Sequence, residues 1–284
     1  MSVLASSLDG NLQWGGGARP FKWGCGGPCF DAAQDKRCQA EIIIQGTNGM
    51  NNELQYGVIG NGRLARHLVH WFRSKGLRVL NWSRAVARRS ASVEAYLASA
   101  DVILLAISDD AIDDFIVMHP DLQAAALVHC SGARVSEYAI GVHLLQTFGD
   151  VLMTPADYDR IPFVVEAEAA TILELFPGFP NPVARIKKSD KPYYHALCVL
   201  ACSGTQMLWQ KIQTGFEACG LDPTIAVPLL RQSAEAVLID PALTITGPFS
   251  RGDTQTIKSH LSALEQDPYL SVYQAFEGIH RNSN

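Results

Sequence analysis

The chain has 284 residues, of which 48% are hydrophobic, and its formal net charge is −5. This content is enough for two ordinary domains with sizeable cores, and the negative charge gives no electrostatic reason to expect a nucleic acid partner. The longest apolar runs, 102–107 and 124–128, are far too short to span a bilayer, so we expect no membrane partner. Seven cysteines without regular spacing favour reduced thiols in a cytoplasmic protein.

Residues 1–49 differ from the rest of the chain in composition and in hydrophobic pattern. They contain glycine clusters and little periodicity, and no apolar segment follows a basic start. We therefore expect a poorly ordered extension rather than a standard signal peptide. An alternative hypothesis is that Met50 is the natural start and that the preceding segment is mis-assigned. Cys25, Cys29 and Cys38 lack a nearby fourth ligand, so free thiols are favoured and no metal site is expected.

From Leu54 onward the pattern is that of an α/β domain. Short apolar runs predict strands, and helical periodicity between them predicts helices. The predicted strands are 54–59, 77–82, 101–107, 125–129, 143–147 and 162–166, and the predicted helices are 63–75, 93–99 and 111–118. Strands that alternate with helices require crossover connections. We therefore predict a Rossmann-like, doubly wound parallel sheet in an α/β domain over residues 50–188.

After Lys188 the pattern becomes purely helical. Ser189-Asp190 can cap a helix, and the helical periodicity that follows ends at Gly220. The predicted helices are 191–219, 223–239, about 253–263, and a last helix that follows Pro268 and extends to roughly Gly278. We therefore predict an all-helical C-terminal domain over residues 189–284.

The clearest motif lies between the first predicted strand and the first predicted helix. Residues 60–65, Gly-Asn-Gly-Arg-Leu-Ala, have the Gly-x-Gly-x-x-Ala form of the dinucleotide-binding fingerprint. The first glycine allows a sharp turn, and the second lets the backbone approach a pyrophosphate. The helix N-terminus supplies free N–H groups and the positive end of a dipole. The predicted cofactor contacts in this turn are Gly60, Asn61, Gly62, Arg63 and Leu64.

The end of the second predicted strand distinguishes the two nicotinamide cofactors. An NAD site usually has an acid there, which accepts a hydrogen bond from the ribose 2′-hydroxyl. This chain instead has Asn81-Trp82-Ser83-Arg84. A hydroxyl and a guanidinium suit a 2′-phosphate. We therefore predict NADP as the cofactor, with Ser83 and Arg84 as contacts and a contribution from Arg88 or Arg89.

Further cofactor contacts are predicted after the third strand. Ligands of open α/β sheets lie outside the carboxyl ends of the strands, so Ile107 and Ser108 should border the nicotinamide ribose. Asp109 and Asp110 follow directly. We interpret them as a helix cap and a first-turn acid rather than as a catalytic pair.

Four short strings, in their order along the chain, resemble a known group of proteins. They are His129-Cys130-Ser131-Gly132, His143-Leu144-Leu145-Gln146, Tyr194-His195-Ala196, and Thr-Gly-Pro-Phe-Ser-Arg-Gly-Asp at 246–253. Over roughly residues 54–276 the chain resembles NADP oxidoreductases that pair a Rossmann-like domain with a helical domain of unknown function. These are relatives of pyrroline-5-carboxylate reductase and of the 6-phosphogluconate dehydrogenase superfamily. The resemblance implies a reductase whose helical domain closes the cleft and forms a homodimer.

The chain departs from this family pattern at three positions. Leu144 replaces a proline, Ser203 replaces an asparagine, and Ser250 replaces an alanine. In related dehydrogenases a polar group on the helix that carries residue 203 helps to orient the substrate. The resemblance therefore implies this role for Ser203, with a shorter reach than asparagine has.

Reduction by hydride transfer usually needs a proton donor beside the substrate. Histidine suits this role because its ordinary pKa lies near 6.5. We rank His195 first, because it lies near the start of the long helix that should face the cleft, and His143 second. Either could instead satisfy a buried backbone group, and Tyr193 and Tyr194 are interpreted as packing residues.

Other polar side chains are candidates for binding a small-molecule substrate. They are His129, Ser131, Gln146 and Arg251. A turn locked by an interaction between Arg251 and Asp253 is an equally open interpretation. The sequence thus predicts an NADP(H)-dependent oxidoreductase acting on a small C=O, C=N or hydroxyl substrate. The alternative is a non-catalytic NADP(H)-binding sensor or interaction protein.

Overall fold

The computed structural model describes residues 54–87, 92–167, 169, 172–239 and 245–283. All of them belong to the unit Gly49–Asn284. The predictions for residues 1–49, for Met50 as a start, and for Arg88 and Arg89 lie outside the described residues. No helix in the described part of the chain is both long and apolar enough to cross a membrane.

The strands form one sheet in the order β2-β1-β3-β4-β5-β6-β7. Their bounds are β1 Gln55–Ile59, β2 Arg78–Trp82, β3 Val102–Leu105, β4 Ala126–His129, β5 Ile140–Leu144, β6 Phe163–Glu166 and β7 Val183–Ile186. Strands β1 to β5 are parallel, β6 is antiparallel to β5, and β7 is parallel to β6. Strand β2 lies on one side of β1, and the chain then crosses over to form β3 on the other side of β1. This reversal creates a crevice at the carboxyl ends of these strands.

Helices cover the sheet between its strands. Their bounds are α1 Arg63–Ser74, α2 Arg84–Ala87, α3 Val93–Leu97, α4 Ile112–Met118, α5 Pro155–Tyr158 and α6 Ile172–Leu175. A 3₁₀ turn, Asp109–Ala111, leads into α4, and another, Pro120–Ala124, follows it. The prediction of a Rossmann-like α/β sheet is confirmed, with the difference that its far edge is mixed rather than parallel.

The apolar core has two layers, one on each face of the sheet. Along β3, Val102 and Leu104 belong to one layer and Ile103 and Leu105 to the other, as the twofold alternation of strand side chains requires. The first layer packs against α1 and the second against α3 and α4. Burial of each large side chain contributes roughly 1.5–3 kcal/mol relative to exposure. These layers hold the carboxyl ends of β1, β3 and β4 in fixed positions.

After β7 the described chain is helical. The helices are α7 Lys191–Val199, α8 Thr205–Ala218, α9 Val227–Ile239, α10 Pro248–Arg251, α11 Thr254–Ala263 and α12 Leu270–Ser283. A π-helical segment, Leu200–Gly204, separates α7 from α8. The predicted helix 191–219 is therefore one rod with a widened turn in the middle. Such π-turns often mark functional sites.

Several elements differ from the sequence-based expectation. Strand β5 begins at Ile140 and ends at Leu144, so the predicted strand 143–147 was displaced by three residues. Strand β7 was not predicted, because its side chains are mostly exposed and show no alternation. The helices α2, α5 and α6 are single turns of four residues. Such elements are too short to show helical periodicity.

Candidate functional site

The turn between β1 and α1 is locked by backbone geometry and by one side chain. Gly60 has φ of +138°, and a Cβ there would lie 2.3 Å from the carbonyl oxygen of Ala106. The Gly60 N–H donates to the Trp82 carbonyl at 2.9 Å. Asn81 Nδ2 donates to the carbonyl oxygens of Val58 at 3.0 Å and of Gly60 at 2.9 Å. Only glycine fits at position 60 without rearrangement.

The N-terminus of α1 is open. Gly62 is the N-cap, makes no side-chain cap bond, and a Cβ built on it would meet nothing within 4 Å. The first turn of this 12-residue helix contains no acidic residue. Its free N–H groups and dipole therefore face open space, which is the arrangement that binds phosphate at helix N-termini.

A cleft of about 780 Å³ lies at this edge of the sheet. Its lining residues are Ile59, Gly60, Asn61, Gly62, Trp82, Ser83, Arg84, Ala85, Ala106, Ile107, Ser108, Ala111 and Phe115. The structure thus brings together most of the predicted cofactor residues, from three different strand ends. The lining contains Ser83 and Arg84 and no aspartate or glutamate. This set fits a ligand that carries a 2′-phosphate better than one with a free 2′-hydroxyl.

Arg63 and Leu64 are the two predicted cofactor residues that do not line the cleft. Arg63 Nε lies 3.2 Å from Asp150 Oδ1, which also accepts from Arg66 at 2.9 Å. These arginines, Arg63 foremost, lower the pKa of Asp150. Leu64 packs against the apolar layer on the α1 face. In this conformation the Arg63 side chain pairs with Asp150, and the Leu64 side chain packs in the apolar core.

The loop after β4 is tied to the turn that follows β3. Ser131 Oγ donates to Asp109 Oδ2 at 2.6 Å and accepts from the Arg134 N–H at 3.0 Å. Asp113 accepts from Arg134 at 2.7 Å and from Ser136 Oγ at 2.6 Å. The Ser131 hydroxyl is therefore engaged inside the protein, although it was predicted to contact substrate. The predicted helix cap at Asp109 is wrong, because Ser108 is the N-cap of this turn; Asp109 lies in the first turn and anchors the loop.

Two histidines and a tyrosine meet beside this loop. His143 Nδ1 lies 2.7 Å from the Tyr194 hydroxyl, and the rings of His143 and His195 are nearly perpendicular, with centroids 5.6 Å apart. A Cβ at Gly132 would lie 2.5 Å from Cδ2 of His195 and 3.1 Å from Nε2 of His143. The missing side chain of Gly132 makes room for both imidazoles. We call His143, Tyr194 and His195 the imidazole cluster.

The groups of the imidazole cluster differ in their protonation. Burial, then the neighbouring His195 and Lys191, lower the pKa of His143 to about 4, so its ring is neutral at pH 7. Burial and a hydrogen bond with Cys198 raise the pKa of Tyr194, so its hydroxyl keeps its proton. Tyr194 was interpreted as a packing residue, and its bond to His143 corrects that view. The adjacent Tyr-His pair in the sequence was the available signal.

His129 lies in the protein interior at the end of β4. Its side chain is fully buried, and neither ring nitrogen has a hydrogen-bond partner among the described residues. Burial, then the charge of Lys191, lower its pKa to about 4. The strand-end histidine turns into the protein interior, so a contact with substrate would require a rearrangement of its surroundings.

The remaining predicted site residues are exposed, and two of them have local partners. Arg251 pairs with Asp253 at 2.7 Å and donates to the Thr246 carbonyl at 2.8 Å, which favours the locked turn over a substrate contact. Gln146 is exposed, and its Oε1 accepts from the next residue's N–H. Ser203 is exposed in the π-helical segment. No group of three or more His, Cys, Asp or Glu side chains in the described ranges could hold a metal.

Residues 161–278 match a family model described as a domain of unknown function, DUF2520. No curated protein matches the chain. The match begins just before β6 and extends almost to the end of α12. It therefore covers the far edge of the sheet as well as the helices.

Solved structures share the fold. A protein from Bacteroides fragilis, provisionally described as an NADP oxidoreductase, is 20% identical and has a TM-score of 0.65, with 81% of this chain and 98% of that chain covered. A protein from Thermotoga maritima is 19% identical, with a TM-score of 0.58 and coverage of 80% and 97%. An imine reductase from Myxococcus stipitatus in complex with NADP+ is 15% identical, with a TM-score of 0.58 and coverage of 81% and 93%. The chain therefore has the architecture that its motifs predicted, a Rossmann-like sheet followed by helices, with a C-terminal part that matches DUF2520.

Proposed function

We propose that the protein is an NADP(H)-dependent oxidoreductase acting on a small C=N, C=O or hydroxyl substrate. The observation that carries the proposal is a series of contacts that leads from the cleft to the imidazole cluster. The cleft is bordered by Ser108, its neighbour Asp109 binds Ser131, and the adjacent Gly132 packs against the imidazole cluster. The proposed dinucleotide site and the proposed proton-handling side chains are therefore connected through Asp109, Ser131 and Gly132. The similarity to an imine reductase that binds NADP+ supports C=N compounds as the first class to test.

The residues of the cleft fit the cofactor. The open N-terminus of α1 at Gly62 would hold the pyrophosphate, and Ser83 and Arg84 would hold the 2′-phosphate. Ile107 and Ser108 would border the nicotinamide ribose. When bound, NADPH supplies the hydride that reduces the C=N or C=O carbon.

His195 is the proposed proton donor. It is half-buried, and its ring nitrogens have no hydrogen-bond partner in the part of the chain that the structure describes. It can therefore donate an imidazole proton to the substrate nitrogen or oxygen that gains electrons during reduction. His143 is neutral at pH 7 and bonded to Tyr194, so its role is to orient the neighbouring ring.

The experiment is an NADPH-oxidation screen of the full chain with cyclic imines, keto acids and aldehydes. We expect turnover in at least one class. With that substrate, His195→Ala should lower kcat by at least about tenfold while the Kd for NADPH is unchanged. His260→Ala, in helix α11, is the matched control and should retain wild-type kcat. Tight NADPH binding without turnover in any class would support the sensor instead.

We further propose that the protein forms a homodimer through its helical region. Among the described residues after β7, only Lys191, Ala226 and Ile257 are buried. Large apolar side chains are exposed on four of its helices, in the π-helical segment, in the 3₁₀ turn Pro223–Ala226 and in the loops: Tyr193, Leu197, Val199, Leu200, Met207, Leu221, Ile225, Val227, Leu229, Val237, Leu238, Ile239, Ile245, Phe276 and Ile279. Exposed apolar surface of this extent is typical of an obligate interface. A second copy of the same chain is the occupant we propose.

A further inference from the structure

We propose that the buried ion pair between Glu166 and Lys191 is a positioning element. It fixes helix α7 in the register on strand β5 at which Tyr194 and His195 meet His143. The inference rests on the proposed function, because the imidazole cluster is the site that it serves.

The ion pair joins the sheet directly to the first residue of α7. Lys191 Nζ donates to Glu166 Oε1 at 2.7 Å, and the two side chains are only 4% and 6% exposed. Lys188 Nζ lies 3.8 Å from the other carboxylate oxygen, but its side chain is 46% exposed. Glu166 is the last residue of β6. A charge-assisted bond in the interior therefore connects the end of a strand to the start of the helix.

Strand β5 has a glycine where the pair crosses it. A Cβ at Gly141 would lie 2.5 Å from Lys191 Nζ and 2.6 Å from Glu166 Oε1. Any larger residue would therefore push the ammonium and the carboxylate away from their present positions. The pair and Gly141 fit each other as the imidazole cluster and Gly132 do.

These contacts define a register between α7 and β5. Gly141 and His143 are two residues apart on β5, so they lie on the same face and roughly 6–7 Å apart. Lys191 and His195 are four residues apart on α7, about one helical turn. Gly141 contacts Lys191, and His143 contacts His195. Two contacts with matching spacing allow neither rotation nor sliding of the helix.

A contribution to folding stability does not by itself explain a buried ion pair such as Glu166–Lys191. Removal of two charges from water is costly, and apolar replacements of buried ion pairs are often neutral or stabilising. The best-attested use of a buried polar contact is to specify one register among several. Lys191 is also close enough for its charge to contribute to the lowered pKa of His143. This agrees with a helix held tightly over the strand.

The test is ¹⁵N NMR of the histidine rings in the full chain without cofactor, so the result does not depend on turnover. The hydrogen bond between Tyr194 and His143 favours one tautomer, which separates the two ring-nitrogen shifts of His143. Loss of the bond lets both tautomers form and brings the shifts together. Tyr194→Phe supplies the reference for the lost bond, and His143→Gln assigns the signals.

We expect the double variant Glu166→Gln/Lys191→Met to move the His143 shifts most of the way to those of Tyr194→Phe. Gly141→Ala keeps both charges and should give the same change by displacing the pair. The matched control Lys211→Met/Asp267→Asn removes an ion pair of the helical region and should leave the shifts unchanged. Its melting temperature shows how far loss of an ion pair alone lowers stability.

The inference is overturned if both Gly141→Ala and the double variant remain folded and keep the wild-type His143 shifts. With a substrate from the screen, the same variants should lower kcat by about fivefold or more and leave the KM for NADPH within about twofold. Absence of any turnover would count against the proposed function only. The NMR result would still decide the positioning role.

Discussion

Two regions of the molecule bury their apolar residues to very different extents. The described residues from β1 to β7 bury aromatic and aliphatic side chains in two layers, including Tyr56, Trp71, Phe72 and Ile116 at 1% exposure or less. The helices after β7 leave residues such as Leu238 exposed, at 85%. The sheet region builds a large core within one chain, although some large apolar side chains such as Val151, at 84%, remain exposed there. The helical region buries only Lys191, Ala226 and Ile257 among its described residues, and the second chain that we propose would cover its exposed apolar side chains.

The difference also separates two parts of the site. The cofactor cleft belongs entirely to the sheet region, where packed layers hold the strand ends. The imidazole cluster combines His143 from the sheet with Tyr194 and His195 from α7. Binding of the cofactor should therefore tolerate changes in the helices, whereas proton transfer should not.

The largest effect should come from emptying the core of the sheet region. Phe72→Ala removes a fully buried ring and should lower the free energy of unfolding by about 3–5 kcal/mol. Leu238→Ala should cost almost nothing in a monomer, because the side chain is exposed there. In a dimer it should lower stability in a way that depends on protein concentration. Urea denaturation at two protein concentrations measures both effects.

Sedimentation equilibrium provides the complementary measurement. We expect the mass of a dimer for the wild-type chain, and a shift toward the monomer for the variant Leu229→Glu/Leu238→Glu. A monomeric wild-type chain across micromolar concentrations would contradict the proposed homodimer. The exposed apolar side chains of the helical region would then not be covered by a second copy of the chain.

The second effect concerns the two glycines of the cofactor turn. Gly60→Ala places a Cβ 2.3 Å from the Ala106 carbonyl oxygen at a φ of +138°, and should lower the free energy of unfolding by about 3 kcal/mol. Gly62→Ala meets nothing within 4 Å and should leave stability almost unchanged. It should still weaken NADPH binding, because the added methyl group faces the proposed pyrophosphate position. Equal melting temperatures for the two variants would refute this reading of the turn.

The third effect is a loss of stability in mild acid. The pKa values of His129 and His143 are about 4 in the folded chain, against an ordinary value near 6.5. Below about pH 6.5 each of these histidines becomes protonated in the unfolded chain but stays neutral in the folded chain. Stability is therefore fully present above pH 6.5 and falls as the pH drops toward 4. The loss should be about 2 kcal/mol per histidine between pH 7 and pH 5.

Urea titrations at pH 7 and pH 5 measure this loss. The variant His129→Leu/His143→Gln should lose much less stability over the same range, because both neutral imidazoles are gone. His129→Leu should also be no less stable than wild type at pH 7, since it removes two buried nitrogens without partners. A wild-type protein that is equally stable at both pH values would contradict the buried, neutral state of these rings.

The sequence predicted the sheet region well because its strands and helices carry long-range periodic signals. The apolar run before Gly60 and the amphipathic α1 place the turn without knowledge of the fold. The strand ends at Ser83 and Ser108 follow from the same pattern. Their convergence on one cleft is a consequence of parallel strand order, which the crossover rule supplies.

The imidazole cluster was less predictable, because its contacts join residues far apart in the chain. His143 and Tyr194 are 51 positions apart, and nothing in their spacing indicates a hydrogen bond. The direction in which His129 points depends on the face of β4 to which it belongs, and both faces of this strand are buried. The π-helical segment is five residues long, too short to disturb the helical periodicity around it. Position in the sequence pattern therefore brought His129, His143 and His195 forward as candidates but did not indicate which of them is buried and which is bonded to Tyr194.

The central claim, that the cleft is an NADP(H) site defined by Ser83 and Arg84, is tested most directly by titration of the full chain with NADPH and NADH. We expect the Kd for NADPH to be at least about tenfold lower, and Arg84→Ala to remove most of that preference while NADH binding stays the same. Arg160→Ala, at an exposed arginine outside the cleft, should preserve it. An NADH affinity equal to or higher than that for NADPH, or an Arg84→Ala variant with an unchanged preference, would contradict the account.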